Sequence, residues 1–309
     1  MEKIAVVGAG RVGRAWAIVF ARAGHPVTLF DTAPGAADAA LAPILQGLQD
    51  LRKAGLLAEA SDVVASRVRT AETLTEAVGD ADYVQENTPE VLKVKSAVFR
   101  KLDDAAPAHA VLASSTSTLR ASQFSDGLRG RDRCLVAHPV NPPHVIPLVE
   151  ISPAPWTRAA IVNRTRELLS RVGQSPVLIR KEVDGFVLNR LQAALLREAW
   201  RLVGEGVISV EDLDRCMKDG LGLRWSFMGP FETIDLNAPE GVADYARRYG
   251  AAFHALFQGV TYAPWDDDLV ARVEGERRAL LSPEHRADRE RWRDRRLMAL
   301  LAYRREQGR

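Results

Sequence analysis

Residues 3–13 read Lys3-Ile4-Ala5-Val6-Val7-Gly8-Ala9-Gly10-Arg11-Val12-Gly13: an apolar run enters a hexamer with glycine at its first, third and sixth positions. An amphipathic stretch, residues 14–23, leaves it. Glycine-rich hexamers occur by chance, but a strand before and a helix after supply the context this one requires. Gly8 permits the tight turn, Gly10 lets a pyrophosphate approach the backbone, and Gly13 allows close helix–strand packing. The helix start, from Arg11 and Val12 onward, presents free N–H groups to anionic oxygens.

The next strand-like run, residues 27–30, ends at Asp31, twenty-three residues after Gly8. A carboxylate at about that spacing accepts from the two hydroxyls of a ribose and repels a 2′-phosphate, so NAD is expected rather than NADP. Further apolar runs bounded by turns lie at 82–85, 111–115 and 133–137, with helical patterns between the early ones. Alternation of strand and helix predicts a mostly parallel sheet covered on both faces, a Rossmann-type doubly wound α/β fold. Runs at 145–151 and 176–180 flank a helical stretch, 157–172, and are expected to extend the same sheet. Beyond Asp184 the pattern turns helical, beginning with one long helix over 185–204. The expected organisation is a dinucleotide-binding domain over 1–184 and a smaller all-helical domain over 185–309.

With 309 residues, 47% hydrophobic and 27% charged, the chain is long enough for two cores. A formal net charge of +2 gives no broad field for nucleic acid. The carboxyl end, 284–309, holds nine arginines against five acids, and is read as a solvated helix with Trp292, Leu297, Leu300 and Leu301 turned inward. The two cysteines, Cys134 and Cys216, show no metal-ligand spacing, so neither a metal site nor a disulfide framework is expected. No apolar run approaches the ~18 residues of a membrane span, and the first strand starts too early for a signal peptide. A cytoplasmic protein without nucleic-acid or membrane partners is expected.

Open α/β sheets place their ligands at the carboxyl ends of strands. Three segments qualify: Ser114-Ser115-Thr116-Ser117-Thr118, His138-Pro139-Val140-Asn141-Pro142-Pro143, and Leu148-Val149-Glu150. Oxidising an alcohol by hydride transfer needs a base for the hydroxyl proton, and a neutral imidazole suits that task near pH 7. His138 is placed for it. The prolines at 142, 143 and 147 mark an irregular turn that could return Glu150 beside His138, to accept from its other ring nitrogen and set the tautomer.

These stretches resemble the 3-hydroxyacyl-CoA dehydrogenase family, and within it the lambda-crystallin (L-gulonate 3-dehydrogenase) branch. The likeness covers nearly the whole chain and is carried by residues 114–118, 136–143, 146–150, 181–192, 198–203 and 220–237. It implies that Ser117 hydrogen-bonds the reacting oxygen, His138 is the general base, Glu150 orients it, and Asn189 completes the site. It also implies cofactor contacts for Glu90, Lys95 and Asn141; by pattern alone Glu90 and Lys95 read as charges at an exposed helix start. Homodimers paired through the helical domain follow from the same resemblance.

The family's acyl-CoA enzymes have a shorter link than residues 220–230 (Gly-Leu-Gly-Leu-Arg-Trp-Ser-Phe-Met-Gly-Pro), whereas its free-acid members resemble the longer form with its arginine. Arg224 is therefore expected to pair bidentately with a substrate carboxylate, with a solvated or ion-paired arginine as the alternative. The activity implied is NAD-dependent oxidation of the 3-hydroxyl of a small free L-hydroxy acid resembling gulonate. Oxidation of L-carnitine, oxidation of a 3-hydroxyacyl-CoA, and a structural crystallin-like role are the competing readings.

Overall fold

In the computed structural model, which describes residues 1–262 and 264–308, the opening apolar run forms β1, Ile4–Val7. The strands that follow are β2 (Val27–Phe30), β3 (Val68–Thr70), β4 (Tyr83–Glu86), β5 (Val111–Ser114), β6 (Cys134–Pro139), β7 (Leu148–Pro153) and β8 (Ser175–Leu178). They build one sheet in the order β3-β2-β1-β4-β5-β6-β7-β8. Every neighbouring pair is parallel except β6 and β7, which are antiparallel.

Successive residues of a strand point to opposite faces. Ile4 and Val6 accordingly join the buried cluster around Trp16, Phe20 and Tyr83, while Ala5 and Val7 join the one around Phe99, Phe124 and Phe186. Both faces are thus buried, which is why β1, β2, β4 and β5 lack the alternation of a half-exposed strand. Because the chain leaves β1 for β2 on one side and reaches β4 on the other, a crevice opens at their carboxyl ends.

The doubly wound sheet is as expected from the sequence. Its edge strand β3 was not anticipated: Val68-Arg69-Thr70 is too short to show a period, and pairing with β2 is what makes it a strand. The long helix begins at Leu188 rather than at Gly185, because Gly185 (φ 75°) and Phe186 (φ 52°) both adopt left-handed backbone, which a right-handed helix cannot include.

By backbone proximity the chain forms two units, one comprising residues 1–190 and 290–309, the other 191–289. The last twenty residues, expected with the helical domain, therefore cluster with the sheet. Their helix, Arg286–Glu306, buries Met298 (5% exposed) in the Trp16 cluster, with Leu297, Leu301 and Ala302 packed beside it. Trp292 (39%) and Leu300 (42%) are exposed, contrary to the inward placement expected for them. At about 100° per residue the stripe through 298 and 301–302 leaves position 300 facing away.

The 191–289 unit is helical, with Val210–Arg215, Gly222–Trp225, Pro230–Leu236, Val242–Ala255 and Asp267–Leu280 as its shorter helices. Between the first two, Cys216–Leu221 winds as a π-helical turn. Few of its side chains are buried: among the described residues they are Val203, Val210, Thr233, Ala238 and Asp244.

The seating of the carboxyl-terminal helix is open to a direct stability measurement. Met298→Ala is expected to cost about 2–4 kcal/mol in denaturant unfolding, and Leu300→Ala less than about 1 kcal/mol. Equal losses would contradict the inward placement of Met298.

Candidate active site

The glycine turn is held from below and open above. Gly8 donates its N–H to Phe30 O at 2.8 Å and adopts φ 98°; a Cβ there would stand 2.8 Å from Asn87 O. A Cβ on Gly13 would fall 1.8 Å from Gly8 O, so helix Arg11–Arg22 can sit this close to β1 only with glycine at that position. Around a Cβ on Gly10 there is no heavy atom within 4 Å. Among the described residues, the N–H groups of Arg11, Val12 and Gly13 have no backbone acceptor, and Arg11 itself is exposed. The donor set fits a pyrophosphate at a helix amino terminus.

Asp31 ties the turn together from the end of β2. Its Oδ2 accepts from Ala9 N at 2.7 Å and its Oδ1 from Ala33 N at 2.9 Å. Each carboxylate oxygen retains a lone pair for a ribose hydroxyl. A cleft of about 460 Å³ bordered by Gly8, Gly10, Asp31, Asn87 and Thr88 adjoins a hollow of about 840 Å³ at the same aspartate. Asp31, Asp38, Glu72 and Glu76 line the hollow without any lysine or arginine, a field hostile to a 2′-phosphate. The residues present fit NAD, the cofactor of this protein.

Beneath the cleft, Ser115 of the quoted stretch and three side chains that sequence reasoning missed, Trp16, Gln85 and Asn87, lock the ends of β4 and β5 together. Ser115 Oγ accepts from Trp16 Nε1 (3.0 Å) and Gln85 Nε2 (2.7 Å) and donates to Asn87 Oδ1 (2.7 Å). All its hydrogen-bonding capacity is used, and in this part-buried setting such a closed network rigidifies its surroundings. Ser115 stands in the quoted serine–threonine stretch, but its partners come from distant segments with no local pattern to signal them.

Glu90 grips that stretch from the side. Its Oε1 accepts from Thr116 Oγ1 (2.5 Å), Ser117 N (3.0 Å), Thr118 N (2.9 Å) and Thr118 Oγ1 (2.8 Å). Burial works to raise the Glu90 carboxyl, but the hydrogen bonds from Thr116 and Thr118 and the charge of Lys95 outweigh it and hold the group below its ordinary value. Lys95 lies inside the protein at 1% exposed; its Nζ is 3.0 Å and 3.1 Å from the two oxygens of Glu86 and 3.1 Å from Thr88 O. Glu86, which the sequence did not single out, also accepts from Ser114 Oγ at 2.5 Å. Lys95 thus neutralises a buried carboxylate, in a place where an unpaired charge would be costly.

His138 and Glu150 come together by strand register. They are directly opposed in the antiparallel β6–β7 pair, and His138 Nδ1 lies 2.9 Å from Glu150 Oε2. The proline-rich link closes the hairpin, but the pairing itself is set by the ladder. Glu150 Oε1 accepts from Val187 N (2.9 Å) and Leu188 N (2.8 Å) at the start of helix Leu188–Gly204. Burial pushes the Glu150 carboxyl up, while hydrogen bonds from His138, Leu188 and Val187 outweigh that and keep it below the ordinary carboxylate range. An ionised carboxylate only accepts, so the proton between the two groups belongs to Nδ1 and the Nε2 lone pair is free. Among the described residues Nε2 has no hydrogen-bond partner.

Asn189 Nδ2 donates to Ser117 O at 2.7 Å, which fastens the first turn of the long helix to the serine–threonine stretch. The Ser117 residue is exposed, and so is Asn141, which begins the turn after β6 with a cis bond to Pro142. Arg224 lies in the 191–289 unit, exposed on helix Gly222–Trp225, and its side chain has no ion pair among the described residues.

Residues 3–183 match the NAD binding domain of 3-hydroxyacyl-CoA dehydrogenase, and residues 185–278 match that family's carboxyl-terminal domain. The chain is 45% identical to the lambda-crystallin homolog of Bos taurus, covering 96% of this chain and 94% of that protein. It is 34% identical to an L-carnitine dehydrogenase of Oceanobacillus iheyensis, covering 88% of each. A solved structure of 5-formyl-3-hydroxy-2-methylpyridine 4-carboxylic acid 5-dehydrogenase, an NAD⁺-dependent dismutase, superposes with a TM-score of 0.84 at 29% identity over 97% of both chains. With both family domains matched in order across a doubly wound sheet and a helical unit, the chain belongs to the 3-hydroxyacyl-CoA dehydrogenase family and is an NAD-dependent oxidoreductase acting on CH–OH groups.

Proposed function

We propose that this protein oxidises the 3-hydroxyl of a small free L-hydroxy acid, gulonate-like in chemistry, with His138 as the general base. The observation that carries the reading is the His138–Glu150 pair, whose buried, ionised carboxylate holds Nδ1–H and leaves Nε2 free to take a proton. NAD⁺, when bound, supplies the hydride acceptor. Gly8, Gly10 and Gly13, with the helix N–H groups at Arg11 and Val12, would hold its pyrophosphate; Asp31 would hold a ribose, and Asn141 would contribute a further cofactor contact. Glu90 and Lys95 contribute through the loop they fix. Ser117 directs its hydroxyl at the reacting oxygen, and Asn189 steadies the Ser117 carbonyl while keeping a second N–H for the substrate. As the proton arrives at Nε2, the imidazolium is stabilised by the Glu150 charge at 2.9 Å.

Arg224 is proposed to select a free carboxylate over a thioester. Two observations support this: the arginine is exposed and unpaired among the described residues, and it follows a π-helical turn, a feature that recurs at functional sites. The dehydrogenase of similar fold is named for a pyridine carboxylic acid. A second reading, L-carnitine, is favoured by the exposed aromatic side chains Trp225, Phe227 and Phe231 near Arg224 in sequence, since quaternary ammonium groups bind aromatic faces. The helical unit buries few side chains and exposes Leu223, Phe231 (75%), Leu236 and Leu256, which favours a homodimer that covers them with a second copy. No described helix is long and apolar enough to cross a membrane, and a cytoplasmic location is proposed with the dimer.

The substrate assignment is tested by following NADH absorbance with L-gulonate, L-carnitine and L-3-hydroxybutyrate, and its loss with acetoacetyl-CoA. Arg224→Met is expected to raise KM for the free acid at least ~30-fold, the equivalent of about 2 kcal/mol for a charge-assisted pair. A KM unchanged by the substitution would remove Arg224 from the site, and turnover confined to the thioester would overturn the free-acid reading.

The base assignment is tested by pH. For wild type, kcat/KM for oxidation is expected to fall as pH is lowered and the imidazole takes up a proton. Glu150, held below its usual range, stays charged through that interval, and its stabilising effect is lost only as pH falls further through its own depressed value. His138→Gln is expected to lower kcat by about 10²–10⁴ with NADH binding intact. A flat wild-type profile, or a His138→Gln enzyme with wild-type kcat, would refute the role.

A further inference from the structure

Among the described residues, Phe186 is the only non-glycine with a positive φ. It is fully buried, and its ring lies 5.3 Å from the His138 imidazole, centroid to centroid, at an interplanar angle of 40°. The two N–H groups that follow it, of Val187 and Leu188, are the ones that donate to Glu150 Oε1. One residue thus reaches both members of the pair, the imidazole through its ring and the carboxylate through the turn it makes. Left-handed backbone is unfavourable for a bulky residue and free for glycine, which the chain already uses next door at Gly185. A side chain kept under that strain beside reacting groups points to a use for its ring.

The geometry of the pair shows what that use is. A histidine ring has a broad, roughly two-fold χ2 preference, so a single hydrogen bond at Nδ1 leaves its tilt loosely set. A flat, buried neighbour restricts the tilt and keeps water from the Nδ1–H bond, which is stronger where the surroundings are apolar. We propose that Phe186 is a positioning residue for the oxidation: its ring holds the His138 imidazole in line with Glu150 and shields their hydrogen bond, leaving Nε2 as the exposed proton acceptor. This rests on the reading of His138 as the base.

The test uses the 309-residue chain with NAD⁺ and its hydroxy acid. Phe186→Leu keeps an apolar side chain but loses the flat face; Phe186→Gly relieves the turn and removes the ring. Both are expected to lower kcat tenfold or more while the Kd for NADH, read by fluorescence, stays within twofold. The solvent deuterium isotope effect on kcat should rise, as proton transfer to a loosened imidazole becomes more limiting. In wild type the Nδ1 proton should appear as a downfield, slowly exchanging NMR signal. Variants that fold and keep kcat and isotope effect within twofold of wild type would overturn the proposal. So would a wild-type Nδ1 proton that exchanges too fast to observe, a result that does not depend on any variant folding. His138→Gln separates the two ideas: activity retained there removes the base itself, whereas an inactive His138→Gln beside wild-type-like Phe186 variants removes only the positioning role.

Discussion

The Glu150 carboxylate carries more of this site than any other group. One oxygen meets His138 across the β6–β7 ladder, and the other receives the two N–H groups that open helix Leu188–Gly204. A carboxylate at a helix amino terminus is favoured by the helix dipole as well as by the orphan N–H groups it satisfies. The same charge that starts the helix therefore sets the histidine tautomer. Asn189, in the first turn of that helix, is in turn fastened to the Ser117 carbonyl. Strand register, helix start and serine–threonine loop are joined through a few polar contacts, from the buried His138–Glu150 pair to the exposed Asn189–Ser117 bond, which hold these side chains on regular elements.

A second set of contacts fixes the cofactor side. Asp31 accepts from Ala9 and Ala33, and Ser115 closes a network with Trp16, Gln85 and Asn87. Asp31 thus holds the backbone of the glycine turn in place, so a substitution there is expected to disturb the shape of the turn. Lys95 shows the same economy: it balances Glu86 inside the protein, and through Glu90 its charge reaches the loop that carries Ser117.

Much of this was legible in the sequence where the signal was local. The glycine turn, Asp31 at the end of the second apolar run, and the carboxyl ends bearing Ser117 and His138 follow from strand–helix alternation and spacing alone. What depended on non-local geometry was not. Glu150 could be suspected of meeting His138, but antiparallel register rather than a proline turn is the cause. Glu86, Ser115 and Asn87 find partners more than twenty residues away, and no period marks them. Phe186 read as one more apolar residue of a helix that in fact begins two residues later, because φ is invisible in composition. Met298, adjacent in sequence to the expected Leu297, is buried by the phase of a helix whose apolar stripe is narrow.

The account turns on Nδ1 of His138 carrying the proton and Nε2 being free to accept another. The direct measurement is the ¹⁵N chemical shifts of the His138 ring in selectively labelled protein at a pH where the imidazole is neutral, for wild type and Glu150→Gln. The account predicts a single Nδ1–H tautomer in wild type that gives way to a mixture when the carboxylate is removed. An Nε2–H tautomer or an even mixture in the wild-type protein would contradict it.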